Sequence, residues 1–355
     1  MRLKKQIIKR EKVYGLDIGD SGVKIALVSK ISKGIVLEEL SFRNFPIHLE
    51  SVNNQILMQT LQGLKDELKE EKMSVIVNLY NTEPIVKFLT LPYMDNNELS
   101  EAIKWQTQRF IVYDLEKMII DYAVLDTFEE TGKKKVNVVI VAVTKEAVFN
   151  LIEILKNVGI EPVSISVDCL AQFYFLREND VFGENKVDGI IDIGMKNTII
   201  QIVNSGVPCF VRKCTTIGSW EINKALKKTF NIEFEETEKI KRDFFLGLLD
   251  MDFDTEVRRI MNQAMEDIFK EIKRSLDYYS DIFPQKKVDR LFLVGGGAFL
   301  NNLETYLSQG LGMEVKRFDP FKNIIFSESI KNLELLKNNS LRFTTVLGLA
   351  LEAIL

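Results

Sequence analysis

The hydrophobic and polar positions of this chain form one pattern twice. An apolar run, a short turn with an acidic residue and glycine, and a second apolar run occur in VYGLDIGDSGVKIALV at 13–28 and in GIIDIGMKNTIIQIV at 189–203. Each copy predicts a strand, a tight turn and a second strand. Two such hairpins, one in each half of the chain, can face each other across a cleft. Backbone amides and carboxylates in these turns suit a nucleotide–Mg²⁺ complex.

The remaining apolar patterns predict a mixed α/β order. Further strands are expected near 35–42, 73–79, 85–91, 117–125, 136–143 and 290–297, and helices within 51–70, 218–283 and 298–310. The C-terminal segment 342–355 has the pattern of an apolar helix. It could be buried in the fold or anchor the chain to a membrane. Because it has no cationic face, burial is the preferred interpretation.

Residues 91–160 form a smaller unit that interrupts the larger pattern. Asp95 or Asn96 can cap an amphipathic helix, two strands follow, and Gly159 can end a second helix. We therefore predict a compact helix–strand–strand–helix insert.

Composition narrows the functional classes. A length of 355 residues suggests two domains, and 46% hydrophobic residues are typical of a globular chain. The net charge of −4 argues against nucleic acid as a main partner. No apolar run is long enough for a transmembrane helix, and no apolar signal segment follows the basic N-terminal residues. The three cysteines lack metal-type spacing, and the single histidine, His48, argues against histidine-based metal sites and triads.

A glycine-rich turn is the third candidate for ligand binding. Gly295, Gly296, Gly297 and Ala298 lie between a predicted buried strand and a predicted helix. Glycines let the backbone approach a flat ligand, and the amides of a helix N-terminus can meet polar atoms. The spacing is neither a Walker loop nor a dinucleotide fingerprint, and the turn could also be only a crowded strand–helix junction.

The order of these three motifs resembles the actin-like ATPase superfamily. The first hairpin matches its first phosphate motif, the second matches its second phosphate motif, and LFLVGGGAFLNNLETYL matches its adenosine motif. The resemblance implies an α/β, actin-like (ribonuclease H-like) duplicated two-domain ATPase fold with an inserted small α+β subdomain. The expected division is a first domain at 13–185 with the insert at 91–160, a second domain at 186–340 with a helical subdomain at about 220–289, and a C-terminal helix, 341–355, that returns to the first domain.

Within that superfamily, the chain most resembles the PilM family of type IV pilus assembly proteins. The insert segment LPYMDNNELSEAIKWQTQRFIVYDLEKMIIDYAVLD at 91–126 and the continuation NVVIVAVTKEAVFNLIEILKNVGIEPVSISVDCLA carry the likeness. It implies a cytoplasmic ATP-binding scaffold at the inner face of the membrane. Such a protein holds the N-terminal tail of a PilN-like membrane protein, contacts other pilus assembly proteins and can form homo-oligomers. The expected wall of the tail-binding groove is Leu99, Ile103, Trp105 and Phe110. These side chains could instead form only the core of the insert.

The resemblance also implies roles at the nucleotide site. Asp17 and Asp192 would hold Mg²⁺ through water, and Asp168 would orient the attacking water or, alternatively, cap a helix. The residues expected to contact the nucleotide are Gly19, Ser21, Gly22, Lys24, Gly194, Asn197, Thr198, Glu238, Lys241, Gly295, Gly296, Gly297 and Ala298, with Lys196 as an alternative cation to Lys24. Lys24 could instead be a surface strand position, and Glu238 and Lys241 an ordinary exposed ion pair.

Two departures from the superfamily pattern predict slow or absent ATP hydrolysis. Asp20 places an additional carboxylate in the first turn, where it would repel phosphate unless it pointed to solvent. Met195-Lys196 stands in the second turn, where small or hydroxyl residues are usual.

Two other functions stay open at this point. A membrane-associated filament protein similar to FtsA would need a separable C-terminal anchor, and a small-molecule kinase would need a catalytic carboxylate beside the γ-phosphate.

Overall fold

Among the residues that the computed structural model describes (12–46, 52–111, 113–215, 217–245, 248–249 and 251–355), the strands form three β-sheets. The strands are β1 (Val13–Gly19), β2 (Gly22–Ile31), β3 (Gly34–Asn44), β4 (Met73–Asn78), β5 (Ile85–Pro92), β6 (Met118–Glu130), β7 (Lys133–Thr144), β8 (Ile160–Ser166), β9 (Val187–Ile193), β10 (Thr198–Asn204), β11 (Val207–Cys214), β12 (Arg290–Val294), β13 (Glu314–Arg317) and β14 (Ile324–Phe326). His48 and the basic residues 1–11 lie outside the described residues.

The helices include a long one, α7, which lies within the region 218–283 that was predicted to be helical. They are α1 (Asn54–Leu68), α2 (Asn96–Gln108), α3 (Lys145–Asn157), α4 (Asp168–Glu178), α5 (Trp220–Phe230), α6 (Phe234–Phe245), α7 (Met251–Ile282), α8 (Leu303–Leu311), α9 (Leu333–Lys337) and α10 (Thr344–Glu352). Short 3₁₀ turns lie at Leu115–Lys117, Gly296–Phe299 and Ser340–Phe343. No described helix is both long enough and apolar enough to cross a membrane.

Two of the sheets repeat one topology, which explains the repeated sequence pattern. In the first, ordered β14-β3-β2-β1-β4-β8, strands β1, β2 and β3 are antiparallel neighbours, while β4 and β8 continue the sheet in parallel. In the second, ordered β11-β10-β9-β12-β13, strands β9, β10 and β11 are antiparallel, while β12 and β13 continue in parallel. Each sheet thus begins with an acidic hairpin, β1–β2 or β9–β10.

The chain returns to the first sheet earlier than we predicted. Strand β14 pairs with β3, and Phe318 and Phe321 pack in the same apolar cluster as β2 and β3. The return therefore begins by β14, at Ile324–Phe326, rather than at residue 341, because this segment before α10 contributes an edge strand to the first sheet.

The insert is built on the third sheet, ordered β5-β7-β6, which α2 covers. Of the two cap candidates, Asp95 caps α2, and it also forms a capping box with Glu98. The predicted limits of the insert, 91–160, differ at both ends from the segment that forms this sheet and its covering helix. Strand β5 belongs to the insert sheet, and α3 packs instead with α1 in the core of the first sheet. The sheet therefore places the insert between Ile85 and Thr144.

Helix α10 lies in the interior of the fold, where it packs against α4 and β1. Thr344 to Leu351 are all buried. A Cβ atom on Gly348 would lie 2.1 Å from the carbonyl oxygen of Ala171, and one on Gly15 would lie 2.3 Å from the amide nitrogen of Ala350. Because both contacts are too short for any side chain, the two glycines permit this close packing. The C-terminal helix is therefore a core element of the fold, which was the preferred interpretation of its sequence.

Candidate functional site

The two acidic hairpins face each other and are in contact. Asp20 is in the turn between β1 and β2, and Asn197 is in the turn between β9 and β10. The Nδ2 atom of Asn197 donates a hydrogen bond of 2.9 Å to Oδ2 of Asp20. The cleft expected from the repeated sequence pattern is therefore present, and Asp20 points across it rather than into solvent.

Lys24 and Asp17 form a buried ion pair within the first hairpin. They are directly opposite each other in the antiparallel register of β1 and β2. The Lys24 ammonium lies 2.7 Å from Oδ2 of Asp17, and both side chains are less than 10% exposed, at 8% and 7%. Lys24 is therefore not the surface strand position that we left open. Its Nζ would be 3.4 Å from a Cβ on Gly19, so the ammonium lies beside the turn.

Asn78, at the end of β4, holds two carboxylates that the sequence singled out. Its Nδ2 donates to Oδ1 of Asp168 at 2.7 Å and to Oδ1 of Asp17 at 3.2 Å. Its Oδ1 accepts the amide of Ile18 at 2.8 Å, which fixes the side chain to β1. We did not predict this residue. The sequence shows only a polar residue at the end of an apolar strand, and the pairing of that strand with β1 is visible only in the structure.

Asp168 is the first residue of α4 and does not cap it, since Val167 holds the cap position and no side chain bonds there. Burial, and secondly the charge of Asp17, raises the pKa of Asp168 to about 7, although the hydrogen bond from Asn78 opposes the shift. The nearby Asp192 also contributes to this increase. Asp17, Asp168 and Asp192 thus form one electrostatic cluster.

Asp192 is held by a second residue that we did not predict. The Nε2 atom of Gln172, on α4, lies 2.6 Å from Oδ2 of Asp192 and 2.9 Å from the hydroxyl of Thr345 on α10. Burial raises the pKa of Asp192 to about 6. The hydrogen bond from Gln172 and the charge of Lys24 lower this pKa, and the charge of Asp17 raises it further. Gln172 therefore ties this carboxylate to both helices that connect the halves.

The aspartates suit a hydrated cation better than a directly bound one. Both oxygens of Asp17 have protein partners, Lys24 and Asn78. Among the described residues, no group of three histidine, cysteine or acidic side chains is arranged to hold a metal directly. A cation that retains its water, as Mg²⁺ does, is compatible with this arrangement.

Several predicted nucleotide contacts of the second hairpin have other partners in the fold. The amide of Gly194 donates to the carbonyl of Asn197 at 2.8 Å, which closes the turn. The hydroxyl of Thr198 donates to the carbonyl of Ile217 at 2.7 Å, and this side chain is buried. These groups build the hairpin, so the Gly194 amide and the Thr198 hydroxyl already donate within the protein, and their contacts with a nucleotide stay a prediction. A Cβ on Gly194 would lie 2.9 Å from the Asn197 carbonyl, so the turn needs glycine.

The glycine-rich turn lies directly against the second hairpin. Gly295 has φ +84°, and a Cβ there would be 2.1 Å from Oδ1 of Asp192 and 2.6 Å from the carbonyl of Ile193. Gly297 packs on Ile193 in the same way. Glycine is therefore required by close approach and by backbone conformation together. The turn forms one wall beside the Asp192 carboxylate.

The segment that follows this turn is not the helix we predicted at 298–310. A 3₁₀ turn at Gly296–Phe299 is followed by Asn302 in the left-handed conformation, and α8 begins only at Leu303. The amide of Gly295 already donates to the carbonyl of Leu341, and Ala298 is completely buried. The turn can therefore approach a ligand through the exposed backbone of Gly296, but not through Ala298 or through a regular helix N-terminus.

Arg342 is a third residue that the sequence did not single out. Its Nη2 donates to Oδ1 of Asn44 on β3 at 2.7 Å, and its side chain lies beside Gly296, with Cγ 3.4 Å from the position of a Cβ there. Burial lowers the pKa of Arg342, while the charges of Glu238 and Asp17 oppose this effect. The Arg342 side chain therefore reaches from the glycine turn to β3. Its guanidinium interacts electrostatically with Asp17 of the first hairpin and Glu238 of α6.

Glu238 and Lys241 pair with each other on α6, and Lys241 is buried rather than exposed. Its ammonium bonds to Glu238 and lies 2.6 Å from Oδ1 of Asn223 on α5. Burial lowers the pKa of Lys241, and the carboxylate of Glu238 partly compensates. The charge of Glu238 also raises the pKa of Arg342, whose side chain lies beside Gly296, so the pair and the glycine turn are electrostatically coupled.

The predicted partner-binding residues divide into two groups. Leu99 and Ile103 are buried in the insert's own core, which was the alternative that we left open. Phe110 is partly buried against the same core. Trp105 is on the opposite side of α2 and is 68% exposed. Among these four residues, only Trp105 offers a large free apolar surface to a partner.

A cavity of about 140 Å³ is lined by Asp168 on one side and by Val86, at the start of the insert sheet, on another. Its walls come from the segment between β4 and β5, from the start of α4, and from β10 and β11 of the second half. The lining residues are Leu79, Thr82, Pro84, Val86, Val167, Asp168, Cys169, Ile199, Val211 and Lys213. Asp168 therefore belongs to the carboxylate cluster and also lines this cavity.

Comparison with known proteins gives one family and two informative structures. The family model described as type IV pilus assembly protein PilM matches residues 15–354. A solved PilM–PilN type IV pilus biogenesis complex is 25% identical, covers 98% of this chain and 99% of that chain, and has a TM-score of 0.83. The ethanolamine utilization protein EutJ from Carboxydothermus hydrogenoformans is 16% identical, covers 97% and 90%, and has a TM-score of 0.54. The predicted α/β, actin-like duplicated fold is confirmed.

Proposed function

The chain belongs to the PilM family of type IV pilus assembly proteins, and we propose that it is a nucleotide-binding scaffold that holds the N-terminal tail of a PilN-like membrane protein. The observation that carries the proposal is the similarity to a PilM–PilN complex along nearly the whole length of both chains, insert included. A scaffold bound to such a tail is placed at the inner face of the membrane by its partner.

The cleft supports the nucleotide part of the proposal. It contains two facing hairpins and a cluster of three aspartates with one buried lysine. It also contains a glycine turn in which a Cβ atom on Gly295 or Gly297 would clash with its neighbours. ATP with Mg²⁺ fits this donor set, since the cation would neutralise phosphate charge and aspartate charge together. Asp192 and Asp17 would hold the hydrated cation, Lys24 would face the phosphates, and Arg342 with the Glu238–Lys241 pair would border the adenosine.

We expect binding to matter more than turnover. Asp168 is the residue placed to orient water, but burial raises its pKa to about 7, so a large fraction of it is protonated near neutral pH. A protonated carboxyl cannot accept a proton from water. Without cation and nucleotide Asp168 is thus a weak proton acceptor, and together with Asp20 and Met195-Lys196 this favours slow hydrolysis at most, with nucleotide as a structural ligand of the scaffold.

The insert supports the partner part of the proposal. Trp105 is exposed on α2, and two further aromatic residues of the insert, Tyr93 and Tyr113, are 53% and 64% exposed. Exposed aromatic side chains on one small subdomain are typical of surfaces that bind apolar peptides. The cavity that Asp168 lines also includes Val86 of β5, so the insert sheet begins next to the carboxylate cluster.

Titration calorimetry with ATP and Mg²⁺ tests the nucleotide proposal. Wild type should bind, and Asp192→Ala and Asp17→Ala should each weaken binding about tenfold or more, since each removes a group at the cation. Asp281→Ala, which removes an exposed carboxylate at the end of α7, is the matched control. Equal affinity in all four proteins would overturn the site.

A pull-down from membrane extract tests the partner part of the proposal. The protein should retain a bitopic membrane protein through the N-terminal tail of that protein. If no such protein is retained, the result counts against the scaffold.

A further inference from the structure

We propose that Asp20 is a specificity-determining residue, whose carboxylate lowers the affinity of the cleft for nucleoside triphosphates relative to nucleoside diphosphates. The inference rests on the proposed nucleotide site and concerns which nucleotide that site favours. Its basis is the position of Asp20, in the turn of one hairpin and hydrogen-bonded to Asn197 in the turn of the other at 2.9 Å.

The hydrogen bond places a negative charge between the two turns. If each turn supports part of the phosphate chain, the terminal phosphate of a triphosphate comes closest to the volume between them. A diphosphate ends earlier and stays farther from Asp20. Like charges at close range repel, and the repulsion is stronger in a partly buried cleft than in water. Asp20 thus acts on the third phosphate more than on the first two.

One neighbouring cation already has an acidic partner. The nearest lysine of the same hairpin, Lys24, already bonds to Asp17 at 2.7 Å. Burial, and secondly the charge of Asp20, raises the pKa of Tyr80, so the field of this carboxylate reaches the segment after β4. Lys196 lies in the opposite turn. Because it is unchanged in wild type and in the Asp20 variants, it cannot cause a difference between them. A charge that disfavours one ligand is an ordinary source of specificity.

The test measures dissociation constants of ADP and ATP by calorimetry, with Mg²⁺ and with chelator. Asp20→Asn removes the charge but keeps an oxygen that can accept the hydrogen bond from Asn197. We expect this variant to raise the ratio of ATP affinity to ADP affinity about tenfold, with a larger change in chelator because no cation then screens the phosphate. High salt should reduce the difference.

Asp20→Glu is the matched control, since it keeps the charge at the same turn, and its ratio should stay close to that of wild type. An unchanged ratio in Asp20→Asn, or an equal change for both nucleotides, would overturn the inference while the nucleotide site stands. If neither wild type nor Asp20→Asn binds either nucleotide, the proposed function fails and the inference fails with it. Circular dichroism of each variant establishes that the fold is intact.

Discussion

The side-chain amide of Asn78 donates a 2.7 Å hydrogen bond to the carboxylate of Asp168, which joins the end of β4 to the start of α4. The same amide reaches Asp17 in the first hairpin. One buried residue therefore positions two carboxylates that are 151 positions apart in the chain. Beyond Asn78 the chain continues into the segment that leads to the insert.

The first prediction concerns the hydrogen bond between Asn78 and Asp168. Asn78→Leu keeps a similar volume but removes all hydrogen bonds, so the free energy of unfolding should fall by roughly 2–4 kcal/mol. Combined with Asp168→Ala, which removes the acceptor oxygen, in a double-mutant cycle, the two changes should be non-additive by about 1 kcal/mol, because they remove one shared interaction. Urea denaturation of the four proteins measures both quantities. Strict additivity would show that the contact does not contribute to stability.

The second prediction is a pH dependence of stability. Unfolded Asp168 has a pKa of about 3.9, and burial raises it to about 7 in the fold. The folded state therefore binds the proton more tightly. The stability due to this group is complete below about pH 4 and is lost as the pH rises through about 7.

Asp168→Asn should remove this loss, since an amide carries no charge at any of these pH values. The variant should be more stable than wild type at about pH 8, by roughly 2–4 kcal/mol, and close to wild type at about pH 4. Urea unfolding in chelator, without nucleotide, provides the comparison. A difference that stays constant with pH would contradict the assigned burial of this carboxyl.

The third prediction compares two glycines with positive φ. Gly295→Ala should destabilise the fold by roughly 2–5 kcal/mol and abolish nucleotide binding, because the new Cβ meets Asp192 and the backbone of Ile193. Gly312→Ala is the control, since φ is +67° there but nothing lies within 4 Å. It should cost only about 1–2 kcal/mol and leave binding intact. Equal losses of stability and binding in both variants would refute the crowding argument.

The fourth prediction separates the surface of the insert from its core. Trp105→Ala should weaken binding of the partner tail about tenfold or more with little change in unfolding free energy, since exposed aromatic residues often dominate peptide affinity. Leu99→Ala should lower the unfolding free energy by roughly 2–4 kcal/mol. Fluorescence anisotropy with a labelled tail peptide and thermal unfolding measure the two effects. A Trp105→Ala protein with unchanged peptide affinity would place the partner elsewhere.

Some of the site could be predicted because its residues are neighbours in the chain. Asp17 and Lys24 are in one hairpin, and the alternation of apolar residues sets the register that pairs them. The insert core was predictable in the same way, since Leu99 and Ile103 share one face of α2. Local periodicity determines which side of an element is buried, so it also locates such pairs.

Other residues of the site could not be found locally. Asn78, Gln172 and Arg342 each stand alone among apolar neighbours, and each contacts a residue from a distant part of the chain. Their roles depend on which strand ends and helices meet at the cleft. The early return of the chain at β14 escaped prediction for the same reason, because an edge strand of three residues has no periodic pattern.

By itself the sequence determined that the chain has two acidic hairpins, a glycine turn and an inserted α+β unit, since these follow from spacing of two and 3.6 residues and from backbone freedom at glycine. Only the tertiary structure decided that Asp20 meets Asn197, that Asp168 and Asp192 share one electrostatic cluster, and that Leu99 is buried while Trp105 is exposed. The physical reason is that burial and charge interaction depend on distances across the cleft, which the packing of α4 and α10 between the two sheets sets.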